Sequence, residues 1–360
     1  MKFLDLFAGI GGFRFGMESA GHECVGFCEI DNFARASYKA IHDTRGEIEL
    51  HDITRVTDEF IRGIGRVDII CGGFPCQAFS IAGNRRGFED TRGTLFFEIA
   101  RFASILRPQY LFLENVKGLL NHENGITFET IISTLDELGY DVEWQVLNSK
   151  DFGVPQNRER VFIIGHFRGE CTRRIFPLSG QSQSISNKSV VKIGNVNPSG
   201  NGMNGEVYQA DGLAPTLTTN KGEGQKIAIK SNTIKQFEVL QPNFNQCGVI
   251  YETDGIAPTI RAYQGGGLEP KIIQRGHGYN KGGEHDIAPT LTRNSYHENN
   301  HLSFGYRIRK LTPRECWRLQ GFPDWAFDKA QEVNSNSQLY KQAGNSVTVN
   351  VIAAIAKELE

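Results

Sequence analysis

The 360-residue sequence predicts an α/β fold with a smaller, mainly β region set into its second half. Three observations carry this. The chain opens as a short apolar strand (2–7), a glycine-rich turn (Ala8-Gly9-Ile10-Gly11-Gly12-Phe13) and a helical pattern through Ala20. Apolar strands then alternate with helical periodicities as far as residue 165, and several strands end on an acid. From about residue 168 the texture changes: residues 169–306 hold 19 of the 40 glycines and almost no helical periodicity.

The opening turn reads in two ways. Glycine lets the backbone approach a nucleotide closely beside a helix N-terminus, or it serves only packing. A second strand, 23–28, ends at Glu29, which either holds ribose hydroxyls or caps the helix expected over 32–40. Asp52, in His51-Asp52-Ile53, meets an adenine amino group or closes a turn. Then Val67-Asp68-Ile69-Ile70-Cys71 runs into Gly72-Gly73-Phe74-Pro75-Cys76-Gln77-Ala78-Phe79-Ser80. Cys71 lies inside the apolar strand and reads as a small packed hydrophobe. Cys76 lies beyond the strand end, where a thiol can serve as a nucleophile. The polar, basic stretch 81–88 is a loop able to close over an anionic partner, or an ordinary solvated loop.

Leu95, Phe96, Ile99, Phe102, Ala103 and Leu106 give helical spacing over 94–106. The strand 110–113 delivers Glu114-Asn115-Val116, an acid either at the ligand crevice or capping a helix. A helix over 128–138 and a strand over 142–147 follow. Gly153-Val154-Pro155-Gln156-Asn157-Arg158-Glu159-Arg160 precedes the strand 161–165, its arginines being surface charges or a bidentate grip on a polar ligand.

Composition narrows the classes. Hydrophobic residues at 39% and charged residues at 22% fit a globular chain with a sizeable core. Seven cysteines with no CxxC pair argue against a disulfide framework or zinc ribbon and for a reduced, cytoplasmic setting. Asp5 interrupts the N-terminal apolar run, so no signal peptide is expected, and no apolar run of about 18 residues offers a membrane span. A net charge of −2 argues against a generally basic coat. Residues 169–306, with 13 Lys or Arg against 11 Asp or Glu, leave room for a local basic face.

In that middle region a pattern recurs. Asp211-Gly212-Leu213-Ala214-Pro215-Thr216-Leu217-Thr218, Asp254-Gly255-Ile256-Ala257-Pro258-Thr259-Ile260-Arg261 and Asp286-Ile287-Ala288-Pro289-Thr290-Leu291-Thr292 follow Tyr208, Tyr251 and Tyr279. Turn and short-strand signals predict three related β units, spaced too unequally for a solenoid. Near the end, Thr312-Pro313-Arg314-Glu315 has the form of a helix capping box. Gly344-Asn345-Ser346 is expected to open a last helix over 347–359.

The ordered set of motifs resembles the DNA (cytosine-5)-methyltransferases, and most of all the bacterial restriction-modification enzymes. The matching pieces are Asp5-Leu6-Phe7-Ala8-Gly9-Ile10-Gly11-Gly12, Glu29, Asp52, Gly73-Phe74-Pro75-Cys76-Gln77, Glu114-Asn115-Val116, Gln156-Asn157-Arg158-Glu159-Arg160, Arg309-Lys310-Leu311-Thr312-Pro313-Arg314-Glu315-Cys316 and Gln342-Ala343-Gly344-Asn345-Ser346-Val347. The resemblance implies a Rossmann-like catalytic domain that uses S-adenosylmethionine, spanning 1–175 and completed by 330–360, with a target-recognition domain over 176–329.

It further implies that Cys76 attacks carbon 6 of a flipped cytosine, that Glu114 holds ring nitrogen 3 and the exocyclic amine, and that Arg160 meets the carbonyl oxygen with Arg158 in a positioning role. S-adenosylmethionine would contact Phe7, Ala8, Gly9, Ile10, Gly11, Gly12, Glu29, Ile30, Asp52, Ile53, Phe74, Pro75, Leu95, Asn345, Ser346 and Val347. Double-stranded DNA would contact Gln77, Ser80, Arg85, Arg86, Arg92, Arg261 and Arg293. The resemblance implies no metal, a monomer, and bacterial or phage origin, with room for a cognate restriction endonuclease acting separately. Three rivals remain. Some family relatives act on transfer RNA, but the long repeat-bearing middle favours DNA. A non-catalytic DNA-binding protein is opposed by the joint presence of Cys76, Glu114 and Arg160. A nicotinamide oxidoreductase is opposed by the absent pyrophosphate fingerprint.

Overall fold

The computed structural model describes residues 1–75, 95–180, 189–195, 206–210, 212–217, 226–230, 236–239, 249–251, 272–274, 283–285, 300–301 and 306–359. Contacts divide the chain into two units. One comprises Met1–Val190, Leu213–Gly222 and Thr312–Glu360, and the other Val191–Gly212 and Glu223–Leu311. The first unit thereby takes in 176–190, 213–222 and 312–329, which the sequence reading assigns to the second domain. Two local interactions explain the first and the last of these. Gln145 and Leu178 exchange hydrogen bonds of 2.8 and 3.0 Å. The fully buried indole of Trp317 donates to the Leu339 carbonyl at 3.0 Å.

In chain order the first unit begins β1 (Lys2–Leu6), α1 (Gly12–Ser19), β2 (Glu23–Cys28), α2 (Asn32–Ile41), β3 (Ile48–Leu50) and α3 (Asp58–Gly63). It continues β4 (Ile69–Gly73), α4 (Leu95–Leu106), β5 (Tyr110–Val116), α5 (Ile126–Glu137), β6 (Tyr140–Asn148) and β7 (Glu159–Phe167). The strand order is β3-β2-β1-β4-β5-β7-β6. All neighbours are parallel except β7, which runs antiparallel to both β5 and β6.

The near-continuous apolar strands are explained by burial on both faces. Leu4 and Leu6 join one core with Phe96, Phe102, Leu111 and Ile163. Phe3 points the other way and joins Phe13, Phe112, Ile164 and Ile352. Asp5 shares the Phe3 face and is fully buried, with neither carboxyl oxygen hydrogen-bonded to protein. Strand order reverses between β1 and β4, and in such sheets the crevice beyond the carboxyl ends at that point takes the ligand.

The C-terminal part returns to this sheet as α6 (Pro313–Leu319), α7 (Asp324–Val333), α8 (Asn336–Asn345) and α9 (Val349–Ala356). The expected capping box is present. Thr312 Oγ1 accepts from Glu315 N at 3.3 Å, and Glu315 Oε2 accepts from Thr312 N at 2.7 Å. The expectation for Gly344-Asn345-Ser346 is corrected: Gly344 and Asn345 finish α8, Ser346 is its C-cap, and the last helix starts at Val349 after Thr348. Helix α9 lies directly on α1, and Gly16 permits this. A Cβ there would stand 2.5 Å from Ile352 Cγ2.

Within the second unit, β8 (Lys192–Asn195), β9 (Glu206–Gln209), β10 (Lys226–Lys230) and β16 (Tyr306–Lys310) form a sheet of order β16-β10-β9-β8. β11 (Gln236–Val239) pairs with β12 (Val249–Tyr251). β13 (Ile272–Gln274) lies between β14 (Gly283–His285) and β15 (Asn300–His301). This agrees with the expected β character. The first tyrosine repeat splits between the units: Tyr208 lies in β9, while Ala214 forms a parallel bridge to Gln156 in the first unit. The short strand expected at Thr216-Leu217-Thr218 is absent at Thr216 and Leu217. The cores of the second and third repeats, 254–261 and 286–292, lie outside the described residues.

Candidate active site

A cavity of about 520 Å³ opens at the carboxyl ends of β1, β2, β4 and β5, within the first unit. Its construction begins at Phe7, where the chain leaves β1 in the left-handed region at φ +58°. A non-glycine residue held there marks a constrained turn. Phe7, Gly9 and Ile10 line the cavity. Gly11, expected beside them, turns away at φ +87°, and a Cβ there would strike the His42 imidazole. Gly12 packs against Val347 and Ser346, Val347 belongs to the apolar core, and Ala8 packs with Phe27 and Tyr38. Ala8, Gly11, Gly12 and Val347 therefore shape the cavity from behind rather than line it.

Glu29 resolves one open alternative. The cap of α2 is Asp31, whose Oδ1 accepts from Phe33 N and Ala34 N at 2.8 and 3.2 Å. Glu29 instead faces the cavity, with Oε2 accepting from Gly9 N at 2.8 Å and Oε1 from Asp31 N at 2.7 Å. Burial raises its pKa above the usual carboxylate range, against the pull of those two amides. Asp52 closes a turn, as one of its two readings has it, and also faces the cavity. Its Oδ1 accepts from Thr54 Oγ1 and N at 2.7 and 3.1 Å, which holds its pKa down. Ile30, Ile53, Phe74, Pro75 and Leu95 add apolar wall, and Asn345 and Ser346 close another side.

Glu114 stands at the end of β5, opposite Gly73 in the ladder. A Cβ on Gly73 would lie 3.1 Å from Glu114 Oε2, so glycine makes room for the carboxylate. Arg160 Nε stands 3.0 Å from Glu114 Oε1, an ion pair lacking a well-aligned hydrogen bond, since that oxygen is otherwise unpartnered. Burial raises the Glu114 pKa, and Arg160 and then Arg158 oppose the rise. Arg158 has a different task. Its guanidinium is buried and donates to the carbonyls of Ser346 at 2.6 Å, Gly344 at 3.4 Å and Leu217 at 3.5 Å. Burial brings its pKa down to about 9, with Arg160 adding repulsion.

Sequence reading assigns no role to four residues placed here. Asn115 Nδ2 donates to the Phe74 carbonyl at 2.8 Å and fixes the backbone just before Pro75. Asp31 pairs with Lys341 at 2.6 Å, and both line the cavity. Gln342, also lining it, accepts from Ser37 Oγ at 3.0 Å. The usable signals were positional, because Asn115 follows Glu114, Asp31 is two past Glu29, and Lys341-Gln342 precede Gly344. Cys76, Gln77, Ser80, Arg85, Arg86, Arg92, Arg261 and Arg293 lie outside the described residues. Cys71 is fully buried, as expected, and burial raises its thiol pKa far above the ordinary range. Among the described residues no helix is long and apolar enough to cross a membrane.

The profile of the family described as C-5 cytosine-specific DNA methylase matches residues 1–360. The chain belongs to this family. Among similar proteins, the orphan methyltransferase M.SPRI of Bacillus phage SPR is 36% identical, the match covering 100% of this chain and 97% of that one. The type II methyltransferase M.HhaI of Haemophilus parahaemolyticus is 36% identical over 99% and 93% of the two chains. M.HpaII of Haemophilus parainfluenzae is 39% identical over 99% and 88%. The S. pombe Dnmt2 methyltransferase structure shares the fold at a TM-score of 0.59 and 19% identity, covering 98% of this chain and 96% of that one. As a C-5 cytosine-specific DNA methylase, the protein is a DNA (cytosine-5-)-methyltransferase, and methylases of this family use S-adenosylmethionine. The donor set fits that molecule: two carboxylates, Glu29 and Asp52, stand among the apolar walls of Phe7, Ile30 and Leu95 in a volume typical of small-ligand sites.

Proposed function

We propose that the protein methylates carbon 5 of a cytosine flipped out of a specific double-stranded DNA sequence, through a covalent bond from Cys76. The observation that carries this reading is the buried Glu114 carboxyl paired with Arg160 at 3.0 Å, on a cavity wall shared with Glu29 and Asp52. In this reading Glu29 binds the ribose hydroxyls of S-adenosylmethionine, Asp52 binds the adenine amine, and Phe7 and Ile30 pack on the adenine. When bound, S-adenosylmethionine supplies an electrophilic methyl group.

The chain's own residues make the cytosine ring able to accept it. The Cys76 thiolate forms a bond to carbon 6, and electron density moves toward ring nitrogen 3 and carbon 5. Glu114, whose raised pKa keeps a proton available, donates to nitrogen 3 and accepts from the exocyclic amine. Arg160 stabilises the carbonyl oxygen, and Arg158 fixes the wall beside them. After carbon 5 gains the methyl group, a held water removes the carbon 5 proton. The electron pair left behind expels the thiolate. Flipping costs a few kcal/mol of stacking and pairing. The DNA contacts assigned to Gln77, Ser80, Arg85, Arg86 and Arg92 would offset it.

In the same proposal residues 176–329, with Arg261 and Arg293, select the sequence. The enzyme works as a monomer in the cytoplasm without a metal. It protects DNA from a separate restriction endonuclease or protects a phage genome; the orphan and type II names of its relatives support either role. The test is incubation with methyl-labelled S-adenosylmethionine and, separately, double-stranded DNA and transfer RNA, followed by nucleoside mass spectrometry. Label in 5-methylcytosine from DNA is expected. Label in RNA alone, or on the exocyclic amine, would contradict the proposal.

A further inference from the structure

A buried line of side-chain hydrogen bonds runs behind the cavity wall. Ser149 Oγ lies 2.8 Å from Thr348 Oγ1, Thr348 Oγ1 lies 2.9 Å from Gln320 Oε1, and Gln320 Nε2 lies 2.9 Å from the Ala343 carbonyl. All three side chains are 4% exposed or less. The directions of the Gln320 and Thr348 protons are determined. The Ala343 carbonyl can only accept, so the Gln320 amide must turn its nitrogen there and its oxygen to Thr348. Thr348 therefore donates to Gln320 and can only accept from Ser149, whose hydroxyl lies 2.8 Å from Thr348 Oγ1 and 3.3 Å from the Arg158 carbonyl. Ser149 N in turn donates to the Arg158 carbonyl at 3.0 Å, and the Arg158 guanidinium donates to the Ser346 and Gly344 carbonyls. The circuit thus holds the carbonyls of residues 343, 344 and 346, and Gly344, Asn345 and Ser346 line the cavity.

We infer that Thr348 and Gln320 are positioning residues for S-adenosylmethionine, setting the 344–346 wall through the Ala343 carbonyl and Arg158. The inference rests on the cavity being the S-adenosylmethionine site. Position 348 needs a hydroxyl, because its side chain must accept and donate at once. Thr348→Val keeps the shape and removes both functions, leaving Gln320 Oε1 buried without its donor and the Ser149 hydroxyl with only its longer 3.3 Å contact to the Arg158 carbonyl. The strained wall then meets the ligand imperfectly.

The experiment measures S-adenosylhomocysteine binding by calorimetry and steady-state methyl transfer on DNA for wild type, Thr348→Val, Thr348→Ser and Glu29→Ala. Thr348→Val is expected to weaken binding about tenfold, the scale of one lost buried hydrogen bond. The cofactor KM should rise in parallel, kcat at saturation should change little, and Thr348→Ser should restore affinity. A loss confined to kcat, or a folded Thr348→Ser that fails to restore affinity, would overturn the inference. So would wild-type affinity in Thr348→Val. If Thr348→Val does not fold, Ser149→Ala, which removes one link, must show the same KM shift or the inference is overturned. Undiminished binding by Glu29→Ala would instead overturn the cavity assignment, and this inference with it.

Discussion

Replacing Glu114 with Gln separates the two things its carboxyl does. The Glu114 and Arg160 side chains are 10% and 16% exposed and approach to 3.0 Å. Two unit charges at about 4 Å attract by about 4 kcal/mol at an effective dielectric of about 20. Taking both charges out of water consumes most of that gain. The raised pKa of Glu114 shows burial outweighing the pull of the arginines. Glu114→Gln relieves this burial cost while leaving Arg160 an amide oxygen, so unfolding free energy should change by no more than about 2 kcal/mol. Chemistry has no such compensation. Loss of a general acid costs about 100- to 10,000-fold in rate. Urea unfolding followed by circular dichroism gives the first quantity, and single-turnover methyl transfer gives the second. The pH dependence adds a sign. A raised folded pKa keeps the proton on Glu114 above the ordinary glutamate range, so the rate falls as pH rises through that displaced pKa, and Glu114→Gln lacks this fall. A variant within about threefold of wild type, or one retaining the same alkaline limb, would refute the reasoning.

Two further perturbations test the scaffold. Burial, opposed by Arg14 and reinforced by Glu29 and Glu18, raises the Asp5 pKa from 3.8 to about 8. Between those values the folded state holds a proton that the unfolded chain releases, so stability is greatest below the lower value and falls as pH rises toward the upper one. Asp5→Asn should remove this slope. The variant should gain on wild type between about pH 5 and 8 by at most about 4 kcal/mol, read by urea unfolding at both ends, and parallel curves would contradict it. Gly16→Ala should lower Tm. Better helix propensity contributes about 1 kcal/mol, but the new Cβ meets Ile352 Cγ2 at 2.5 Å and the Ala353 backbone nitrogen at 2.8 Å, and forcing α1 from α9 costs about 1–3 kcal/mol. An unchanged or higher Tm would show that the helices separate freely.

How much of this was legible follows from the range of each interaction. β1, β4, β5 and β7 were readable because strands buried on both faces must be continuously apolar. The capping box at Thr312 and Glu315 was readable because both its bonds are local. The acids Glu29, Asp52 and Glu114 could be placed as strand-end residues of an α/β sheet, a position that predicts the crevice whatever the ligand. Long-range partners left no such trace. Beyond their reading as ligand glycines, Gly11 and Gly12 also leave room for His42 and Val347, which are remote in sequence. Gly344-Asn345-Ser346 resembled a helix start because Asn and Ser are common caps, whereas α8 is held from the other side by Trp317 and Gln320. α7 and α8 escaped notice because their buried faces are narrow; α7 buries only Ala326, Phe327 and Ala330. The first repeat resembled its two partners in sequence, but Ala214 bonds to Pro155 and Asn157 of the first unit.

The central claim is thiol addition by Cys76, and trapping the adduct measures it most directly. DNA carrying 5-fluorocytosine at the target cannot lose fluorine as the proton is lost, so the enzyme should stall with Cys76 bound to carbon 6. With S-adenosylmethionine present, denaturing electrophoresis should show a protein–DNA species, and peptide mass spectrometry should place the link at Cys76. Cys76→Ala should give none. Methylation of ordinary DNA without any such species, or normal methylation by Cys76→Ala, would contradict the account.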